Sequence, residues 1–432
     1  MLIEFSVTNY LSFRDKVTFS MLASDDTGLE ESNVIQLPTG ERCLKSAAIY
    51  GANAAGKSNF IKAIDYMSLL VYSSAQKTPG EPIDINPFRL ADGADIKPSA
   101  FDVVFFASGV KYAYGITFDS TNIIEEYLYY FENDKQRTIF ERMNITEYNF
   151  TDEYGANDKI DIGVQEYFKR FTANNKLYLS VAVMLDYTPV KDAFAWLTDM
   201  YTTGVATAYN IIVDAYFGGK GDKPEAQKII DTAIEWVKDI DTGIKDITFE
   251  ENPDLFKDDY VQNGNFTTDN FVKVLNNTIT THDTIDNNGV PQQVKFKFYT
   301  SESQGTRMFF MMAICAAQRA RRGGIIIVDE LDDSLHTKVA AHMIKLFHSL
   351  GQGAGITSQL IFTTHDTNLL DNKHFRRDQI WFAEKNPTTG ATELFSLCDF
   401  EQPDNADAVE IEKGYLMGIY GAIPFIKGDV NA

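Results

Sequence analysis

Apolar residues alternate with polar ones along much of the first third of the chain. A period of two predicts strands within residues 1–50 and at 101–105, 112–118 and 123–131. The spacing changes to three and four within residues 51–73, which predicts a helix after a short apolar strand and a Gly-rich turn. This part of the chain therefore predicts a β-rich lobe built around one Gly-rich loop.

The middle of the chain has helical spacing instead. Its clearest helix follows Asp222 and has Pro224 in the first turn, a combination typical of helix starts. No heptad pattern is sustained, which predicts a compact helical insertion and excludes a long coiled coil. Residues 251–290 are polar and rich in Asn. The Asn-Asn-Gly sequence at 287–289 predicts a hairpin turn, followed by a strand at 294–298.

The last third of the chain alternates helical and strand patterns, as α/β proteins do. An apolar run at 325–328 follows a Gly-Gly pair and predicts a strand that is buried on both faces. Around it we predict helices at 305–319 and 338–350 and strands at 360–362 and 379–382. We expect an α/β fold class with three regions, which are a β-rich lobe (1–150), a mainly helical insertion with a polar linker and hairpin (151–290) and a second α/β lobe (291–432).

Composition narrows the classes of partner. The 432 residues are 44% apolar, enough for one large domain or for two to three smaller ones. Lys and Arg total 39 and Asp and Glu total 61, so the net charge is 39 − 61 = −22. This charge argues against a protein that covers nucleic acid or an anionic membrane with its whole surface. A local basic groove for nucleic acid stays open as an alternative, and so does a basic protein partner.

Cysteine usage and hydropathy indicate the compartment. The three cysteines are far apart in sequence, without the spacing of a disulfide framework or a zinc site. The N-terminus does not show a basic region followed by an apolar stretch, so no secretory signal is predicted there. The longest fully apolar run, 309–317, is well short of the roughly 20 residues of a membrane span. We expect a soluble, cytoplasmic protein without a membrane partner.

Residues 51–58 read Gly-Ala-Asn-Ala-Ala-Gly-Lys-Ser and match G-x-x-x-x-G-K-[ST] at every fixed position. In such a loop, backbone N–H groups surround a phosphate, the Lys reaches the β- and γ-phosphates, and the Ser hydroxyl ligates Mg²⁺. The alternative is a Gly-rich turn with a surface lysine. The motif predicts ATP and Mg²⁺ as cofactors, with Lys57 as a catalytic residue and Ser58 as a metal ligand. The expected nucleotide contacts are Gly51, Asn53, Ala54, Ala55, Gly56, Lys57, Ser58 and Asn59.

Two acids, Asp329 and Glu330, follow the apolar run at 325–328. Acids at the carboxyl end of a buried strand lie where α/β sheets bind ligands. We expect Asp329 to hold Mg²⁺ through water and Glu330 to polarise an attacking water. The alternative is a structural acid pair that caps the next loop. The polar residues 332–336 are either a contact with a second subunit or an ordinary turn.

His365 lies in a Thr-Thr-His-Asp sequence directly after the predicted strand 360–362. A single histidine more often packs or faces solvent than catalyses, but this one ends the next core strand after the acid pair. We expect His365 to hydrogen-bond the γ-phosphate and to orient the water. Ser303 and Gly305 precede a predicted helix, where a Ser side chain and a Gly N–H form an anion site. An ordinary N-cap is the alternative there.

These four motifs, in this order, resemble those of the ABC-type ATPase heads of the RecF and structural-maintenance-of-chromosomes (SMC) group. The resemblance is closer still to the RloA-like, AAA15-type ATP-binding proteins encoded beside phage-defence and abortive-infection effectors. It extends along most of the chain. Besides the motifs above, it includes Asn-Tyr-Leu-Ser-Phe-Arg at 9–14, Leu-Tyr-Leu-Ser at 177–180, Asp-Gln-Ile-Trp-Phe at 378–382, Lys-Gly-Tyr-Leu at 413–416 and Tyr-Gly-Ala-Ile-Pro at 420–424.

The resemblance implies an ABC-type head, with a β-rich lobe and a RecA-like mixed sheet flanked by helices. It also implies a head-to-tail homodimer or higher homo-oligomer with ATP buried between subunits. Ser303 and Gly305 of one copy would then contact the γ-phosphate bound by Lys57 of the other. Glu302, Gln304 and Thr306 depart from the Leu, Gly and Gln or Glu that are usual in this signature.

The sequence thus predicts an ATPase that forms ADP and phosphate and acts as a dimerising nucleotide switch. The switch would sense a signal and control a separate effector, a nuclease or toxin, in anti-phage defence. The alternative is a DNA-repair or DNA-clamp ATPase of the RecF type, and a nucleotide-binding scaffold without turnover is disfavoured by Glu330. The clamp would use a groove lined by arginines that are otherwise solvated charges at helix ends, namely Arg319, Arg321, Arg322, Arg376 and Arg377.

Overall fold

The structure is a computed structural model of the chain, and it separates into two compact units. Unit 1 comprises Met1–Thr202 and Gln359–Ala432, and unit 2 comprises Thr203–Ser358. The described residues are 1–93, 97–133, 135–150, 153–154, 158–159, 162–202, 205–217, 219, 221–240, 243–250, 267–333, 335–349, 358–401 and 411–424. Part of the predicted polar linker (251–266) and Ser334 of the predicted contact loop lie outside them. The division into three regions stays a prediction.

The strands of the described residues are numbered in chain order. They are β1 (Leu2–Thr8), β2 (Val17–Ser20), β3 (Val34–Gln36), β4 (Arg42–Leu44), β5 (Ser46–Tyr50), β6 (Ser99–Ala107), β7 (Val110–Phe118), β8 (Ile123–Glu132), β9 (Lys135–Met143), β10 (Glu147–Phe150), β11 (Glu153–Tyr154), β12 (Asp158–Lys159), β13 (Tyr201–Thr202), β14 (Ile244–Phe249), β15 (Thr278–Ile285), β16 (Pro291–Lys297), β17 (Gly324–Val328), β18 (Ser358–Thr363), β19 (Ile380–Lys385) and β20 (Thr392–Ser396).

The helices are numbered in the same way. They are α1 (Glu30–Asn33), α2 (Lys57–Ser73), α3 (Ile162–Phe171), α4 (Tyr178–Met184), α5 (Lys191–Thr198), α6 (Val205–Tyr216), α7 (Lys223–Asp239), α8 (Thr268–Asn276), α9 (Phe298–Ser301), α10 (Gln304–Arg322), α11 (Thr337–Ser349) and α12 (Ile411–Leu416). Short 3₁₀ turns occur at Ser74–Gln76, Thr188–Val190, Thr367–Leu369, Arg377–Gln379 and Leu397–Asp399.

A seven-stranded antiparallel sheet forms the β-rich part of unit 1, in the order β10-β9-β8-β7-β6-β1-β2. Every second residue of β6 is buried, as the period of two predicted. On the buried face, the Phe60 ring of α2 lies against Phe5 of β1 and Phe19 of β2, with ring centroids 5.8 and 5.0 Å apart. The helix after the Gly-rich loop thus packs on this sheet.

Four strands of unit 1 pair in the order β18-β5-β19-β20. β5 runs parallel to β18 and β19 on its two sides, and β20 is antiparallel to β19. All residues of β5 are buried, which explains its uninterrupted apolar and small side chains. Because parallel strands end at one edge, the loops after β5 and β18 leave the sheet side by side.

The structure of unit 1 explains two of the segments that carry the family resemblance, 177–180 and 378–382. The fully buried Glu126 carboxylate accepts hydrogen bonds from the N–H groups of Tyr178 (2.6 Å) and Leu179 (3.0 Å), so it caps the first turn of α4. Burial raises the pKa of Glu126 against the opposing effect of these bonds. In the other segment, Asp378 pairs with the buried Arg376 guanidinium at 2.7 Å.

Unit 2 combines helices with a small antiparallel sheet. α10 packs against α6 and α7, and its apolar run 309–317 is buried. The predicted start of α7 is confirmed, because Asp222 is the N-cap and its side chain accepts a hydrogen bond from the Glu225 N–H. The predicted hairpin is also present, joining β15 to β16 beside β14.

The α/β fold class is confirmed, with mixed sheets and flanking helices, and the longest helix in the described residues has 19 residues. Several element boundaries differ from the predicted ones by one or more residues. The helix predicted within 51–73 begins at Lys57, after the loop, and the helix predicted at 305–319 continues to Arg322. Phe298 begins α9 and does not continue β16. No helix in the described part of the chain is long and apolar enough to cross a bilayer.

Candidate nucleotide-binding site

The Gly-rich loop connects the end of β5 to the first residue of α2 in unit 1. The backbone of Gly51 approaches the Ala383 carbonyl so closely that a side chain at position 51 would overlap it. Gly56 is the N-cap of α2, with φ of 113°, and no side chain caps the helix there. A glycine N-cap has no side chain to occupy the start of α2, which is compatible with an anion-binding loop.

A chain of polar side chains lies behind the loop. The Asn59 amide donates to Ser12 Oγ (2.8 Å), Ser12 Oγ lies 2.7 Å from Thr392 Oγ1, and the Thr392 hydroxyl donates to the Ala55 carbonyl (2.7 Å). A Cβ atom at Gly56 would overlap the Thr392 side chain and come within 2.9 Å of Ser12 Oγ. We call Ser12, Asn59 and Thr392 the loop brace, because they hold the backbone of the loop from the side of the protein.

Lys57 is buried, with 5% of its surface exposed. Its ammonium donates hydrogen bonds to the carbonyls of Gly51 (2.8 Å) and Ala52 (3.2 Å), so the side chain folds back over the loop. Asn53 and Ala54 at the tip are exposed, and Ala54 has a left-handed backbone with φ of 63°. Ser58 is half-buried in the first turn of α2. The surface-lysine alternative is thereby excluded.

His365 leaves the sheet next to the loop, also in unit 1. β18 pairs with β5 from Leu360 opposite Ser46 to Thr363 opposite Ile49, and the Thr364 N–H donates to the Ile49 carbonyl at 3.2 Å. His365 follows at once and is exposed. The structure therefore brings the segments of His365 and the Gly-rich loop to one edge of the sheet. The role of His365 stays a prediction.

In unit 2, Ser303 is the N-cap of the 19-residue helix α10. Its hydroxyl accepts a hydrogen bond from the Thr306 N–H at 3.0 Å, which confirms the N-cap interpretation. Ser303 is exposed and Gly305 half-buried, and the proposed anion contact of these residues stays a prediction. The Glu302 carboxylate before the cap bonds Thr280 (2.6 Å) and His282 (2.8 Å) of β15, which accounts for an acid in place of the usual Leu.

The acid pair lies at the carboxyl end of β17 in unit 2, as the sequence predicts. Asp329 and Glu330 are both exposed, and Glu330 has a left-handed backbone with φ of 54°. Non-glycine residues in this conformation cluster at functional sites, where the surrounding structure offsets the strain. The Glu330 carbonyl accepts a hydrogen bond from the Asp333 N–H (2.9 Å), which begins a turn. Contact of residues 332–336 with a second subunit stays a prediction.

In unit 1, the residues of the Gly-rich loop fit a nucleoside triphosphate with Mg²⁺. The start of α2 and the Lys57 ammonium supply the N–H donors and positive charge that phosphates need. The Ser58 hydroxyl is a hard oxygen donor of the kind that Mg²⁺ prefers, and the metal contact of Asp329 in unit 2 stays a prediction. Residue-based prediction found the loop but missed Thr392 in its brace, because a single threonine in a hairpin strand carries no sequence signal.

Residues 46–371 match the model of the family described as "AAA domain, putative AbiEii toxin, Type IV TA system". The chain belongs to this family. An AAA domain is an ATPase domain, so the expected class of ATP-binding P-loop protein is confirmed. No curated protein is significantly similar to the chain in sequence.

The chain is also similar to solved SMC heads. The SMC head domain from Thermotoga maritima shows 12% identity and a TM-score of 0.40, over 91% of this chain and 98% of that one. An SMC head bound to the C-winged helix domain of ScpA shows 13% identity and a TM-score of 0.42, over 91% and 97%. An SMC head from Pyrococcus furiosus shows 11% identity and a TM-score of 0.32, over 97% and 98%. These values add nothing to the family assignment.

Proposed function

We propose that this AAA-domain protein hydrolyses ATP and acts as a dimerising nucleotide switch that controls a separate effector. The observation that carries the proposal is the braced Gly-rich loop, with buried Lys57, at the same sheet edge as the segment of His365. A phosphate-binding loop beside a polar group at a parallel strand end is the arrangement that phosphoryl transfer uses.

The proposed roles follow from the chemistry of the side chains. Bound Mg²⁺ would neutralise phosphate charge, held by Ser58 and Asp329. Lys57 would release the carbonyls of Gly51 and Ala52 and bind phosphate oxygens instead. Glu330 would accept a proton from the attacking water, and His365 would donate a hydrogen bond to the γ-phosphate.

We propose that one active site needs two copies of the chain. Ser303 of a second copy would contribute its hydroxyl, and Gly305 its N–H, to the γ-phosphate. One feature supports this. The N-cap serine of α10 is exposed, so its hydroxyl is accessible to a ligand held by another copy. ATP would then stabilise the dimer, and hydrolysis would release it.

We propose an effector partner and a role in anti-phage defence. Support comes from the family description, which names a toxin and a toxin–antitoxin system. The net charge of −22 favours a basic partner, such as a nuclease or toxin. We propose a cytoplasmic location, because the three free cysteines are typical of a reducing compartment.

The clamp alternative has less support. Within unit 2, Arg319 is buried and Arg321 pairs with Glu225 at 2.5 Å. Within unit 1, Arg376 is buried, and Arg377 donates to the carbonyls of Leu397 and Phe400. Four of the five arginines predicted for a groove are thus engaged within the protein. The expectation that they are solvated helix-end charges is likewise wrong for buried Arg319 and Arg376.

Mixing two inactive variants tests the composite site. Lys57→Ala removes the phosphate lysine and Ser303→Ala removes the proposed contribution of the second copy, so each variant alone should be inactive. Each mixed dimer should contain one intact site of two, and a 1:1 mixture should regain ATPase activity. Glu330→Gln should form a stable dimer with ATP and Mg²⁺ in size-exclusion chromatography. A mixture without activity, together with a monomeric Glu330→Gln protein, would refute the composite site.

A further inference from the structure

The segment 411–424 in unit 1 folds over the sheet edge that carries the Gly-rich loop. It consists of α12 and a turn after it, and we call it the C-terminal clasp. The Tyr415 hydroxyl donates to the Ala422 carbonyl (3.1 Å), which closes the clasp on itself. The Ala422 N–H donates to the Glu384 carboxylate (3.1 Å), which fastens the clasp to β19. The proposed function assigns no role to this segment.

Aromatic contacts join the clasp to the strand that leads into the loop. Tyr415 stacks on Phe382 of β19, with ring centroids 5.4 Å apart and planes at 13°. It also lies 6.1 Å from Tyr50, edge to face. Tyr50 is the last residue of β5 and directly precedes Gly51. One residue of α12 therefore packs against the base of the Gly-rich loop.

A polar contact joins the same short helix to the segment of His365. The Glu412 carboxylate accepts a hydrogen bond from the Thr367 hydroxyl at 2.9 Å. Thr367 begins the 3₁₀ turn Thr367–Leu369, two residues after His365. The Asp366 side chain caps that turn by accepting from the Asn368 N–H (3.0 Å). The direction in which the backbone leaves His365 is therefore set by this turn, and Glu412 holds its first residue.

We propose that Glu412 is a positioning residue for His365. The same short helix contacts both segments. Tyr415 packs on the end of β5, and Glu412, three residues earlier, accepts the hydrogen bond from the turn after β18. Loss of the Glu412 carboxylate would free the Thr367 end of the turn and let His365 move away from the γ-phosphate position. This inference rests on the proposed role of His365 in hydrolysis.

The contact should affect turnover more strongly than ATP binding. The Gly-rich loop is held separately by Ser12, Asn59 and Thr392, none of which contacts Glu412 in the described interactions. A hydrogen bond to a charged acceptor is among the stronger ones, and this one is half-buried. We expect Glu412→Ala to lower kcat about tenfold, with a much smaller change in the Kd for ATP.

Paired variants separate positioning from a general loss of structure. Thr367→Val removes the donor with little change in shape, so it should lower kcat as Glu412→Ala does, and the double variant should be no slower than either. Glu412→Gln and Thr367→Ser keep an acceptor and a donor, so they should retain most of the activity. Lys413→Ala, at an exposed position of the same helix, is the matched control. Melting temperature and ATP affinity are measured for every variant.

The outcomes distinguish this inference from the proposed function. A Glu412→Ala protein as fast as wild type, or Glu412→Gln as slow as Glu412→Ala, overturns the positioning role alone. Equal losses of kcat and ATP affinity would also overturn it, because the clasp would then act on the whole unit. Wild-type hydrolysis no faster than that of Lys57→Ala would overturn the proposed function itself.

Discussion

Substituting Gly56 by alanine tests whether the shape of the Gly-rich loop is set by the protein behind it. Gly56 has φ of 113°, a conformation that costs an L-residue about 1–2 kcal/mol. The added Cβ would also overlap the Thr392 side chain and come within 2.9 Å of Ser12 Oγ. Such overpacking costs typically about 1–3 kcal/mol. The free energy of unfolding should therefore fall by about 2–5 kcal/mol.

Gly40 provides a matched control in the same unit. It has φ of 102°, and a Cβ there would meet nothing within 4 Å. Gly40→Ala should cost only the backbone term of about 1–2 kcal/mol. The effect of alanine on the entropy of the unfolded chain is common to both variants, so it cancels in the difference between them. That difference, about 1–3 kcal/mol, isolates the overlap with the loop brace.

Urea unfolding and calorimetric titration with ATP measure the two consequences. To make room, Thr392 must turn away from the Ala55 carbonyl, so the Kd for ATP should rise at least about tenfold in Gly56→Ala, equivalent to about 1.4 kcal/mol. Gly40→Ala should bind ATP as wild type does. Equal losses of stability in the two variants, or wild-type ATP affinity in Gly56→Ala, would refute the reasoning.

Three further predictions concern buried groups. Asp378→Asn should lower the free energy of unfolding by about 3 kcal/mol in urea, because the fully buried Arg376 side chain would lose its closest carboxylate. A loss below about 1 kcal/mol would contradict this. Among the thiols, exposed Cys398 should react with an alkylating reagent in the native protein, whereas Cys43 and Cys315 should react only after unfolding. Burial raises the pKa of both thiols to about 12, so above pH 9 only the unfolded chain loses these protons, and stability should fall between pH 9 and 12. Labelling of all three thiols in the native protein at pH 8 would contradict the expected protection of Cys43 and Cys315.

Local sequence signals correctly predicted the elements that are stabilised by hydrogen bonds between residues close together in the sequence. Asp222 and Pro224 marked the start of α7 because a cap satisfies N–H groups three residues away. Alternation predicted one strand at 294–298, which β16 confirms as far as Lys297, but it wrongly extended the strand to Phe298. Phe296 is 42% exposed on β16, while Phe298 is buried at the start of α9 against the Phe310 ring. The apolar period there did not reflect a buried face.

The arginines show that local sequence also fails to predict whether a charged side chain is buried. The sequence predicted Arg376 as a solvated charge or part of a nucleic-acid groove, since nothing nearby forbids either. In the structure its side chain is fully buried and bonds the Gly28 carbonyl and Glu30, 348 and 346 residues away in sequence. Long-range partners of this kind have no local signature, because they satisfy a buried charge through the fold.

The amino-acid sequence by itself determined the class of this protein and the residues of its Gly-rich loop. The glycines, the lysine and the serine that are predicted to bind phosphate are neighbours along the chain, so their fixed spacing identifies them. Only the tertiary structure decided what holds that loop and the turn after His365. Thr392 lies 337 residues from Ala55, and Glu412 lies 45 residues from Thr367. Contacts at such separations exist only once the strands have paired, so no pattern along the chain contains them.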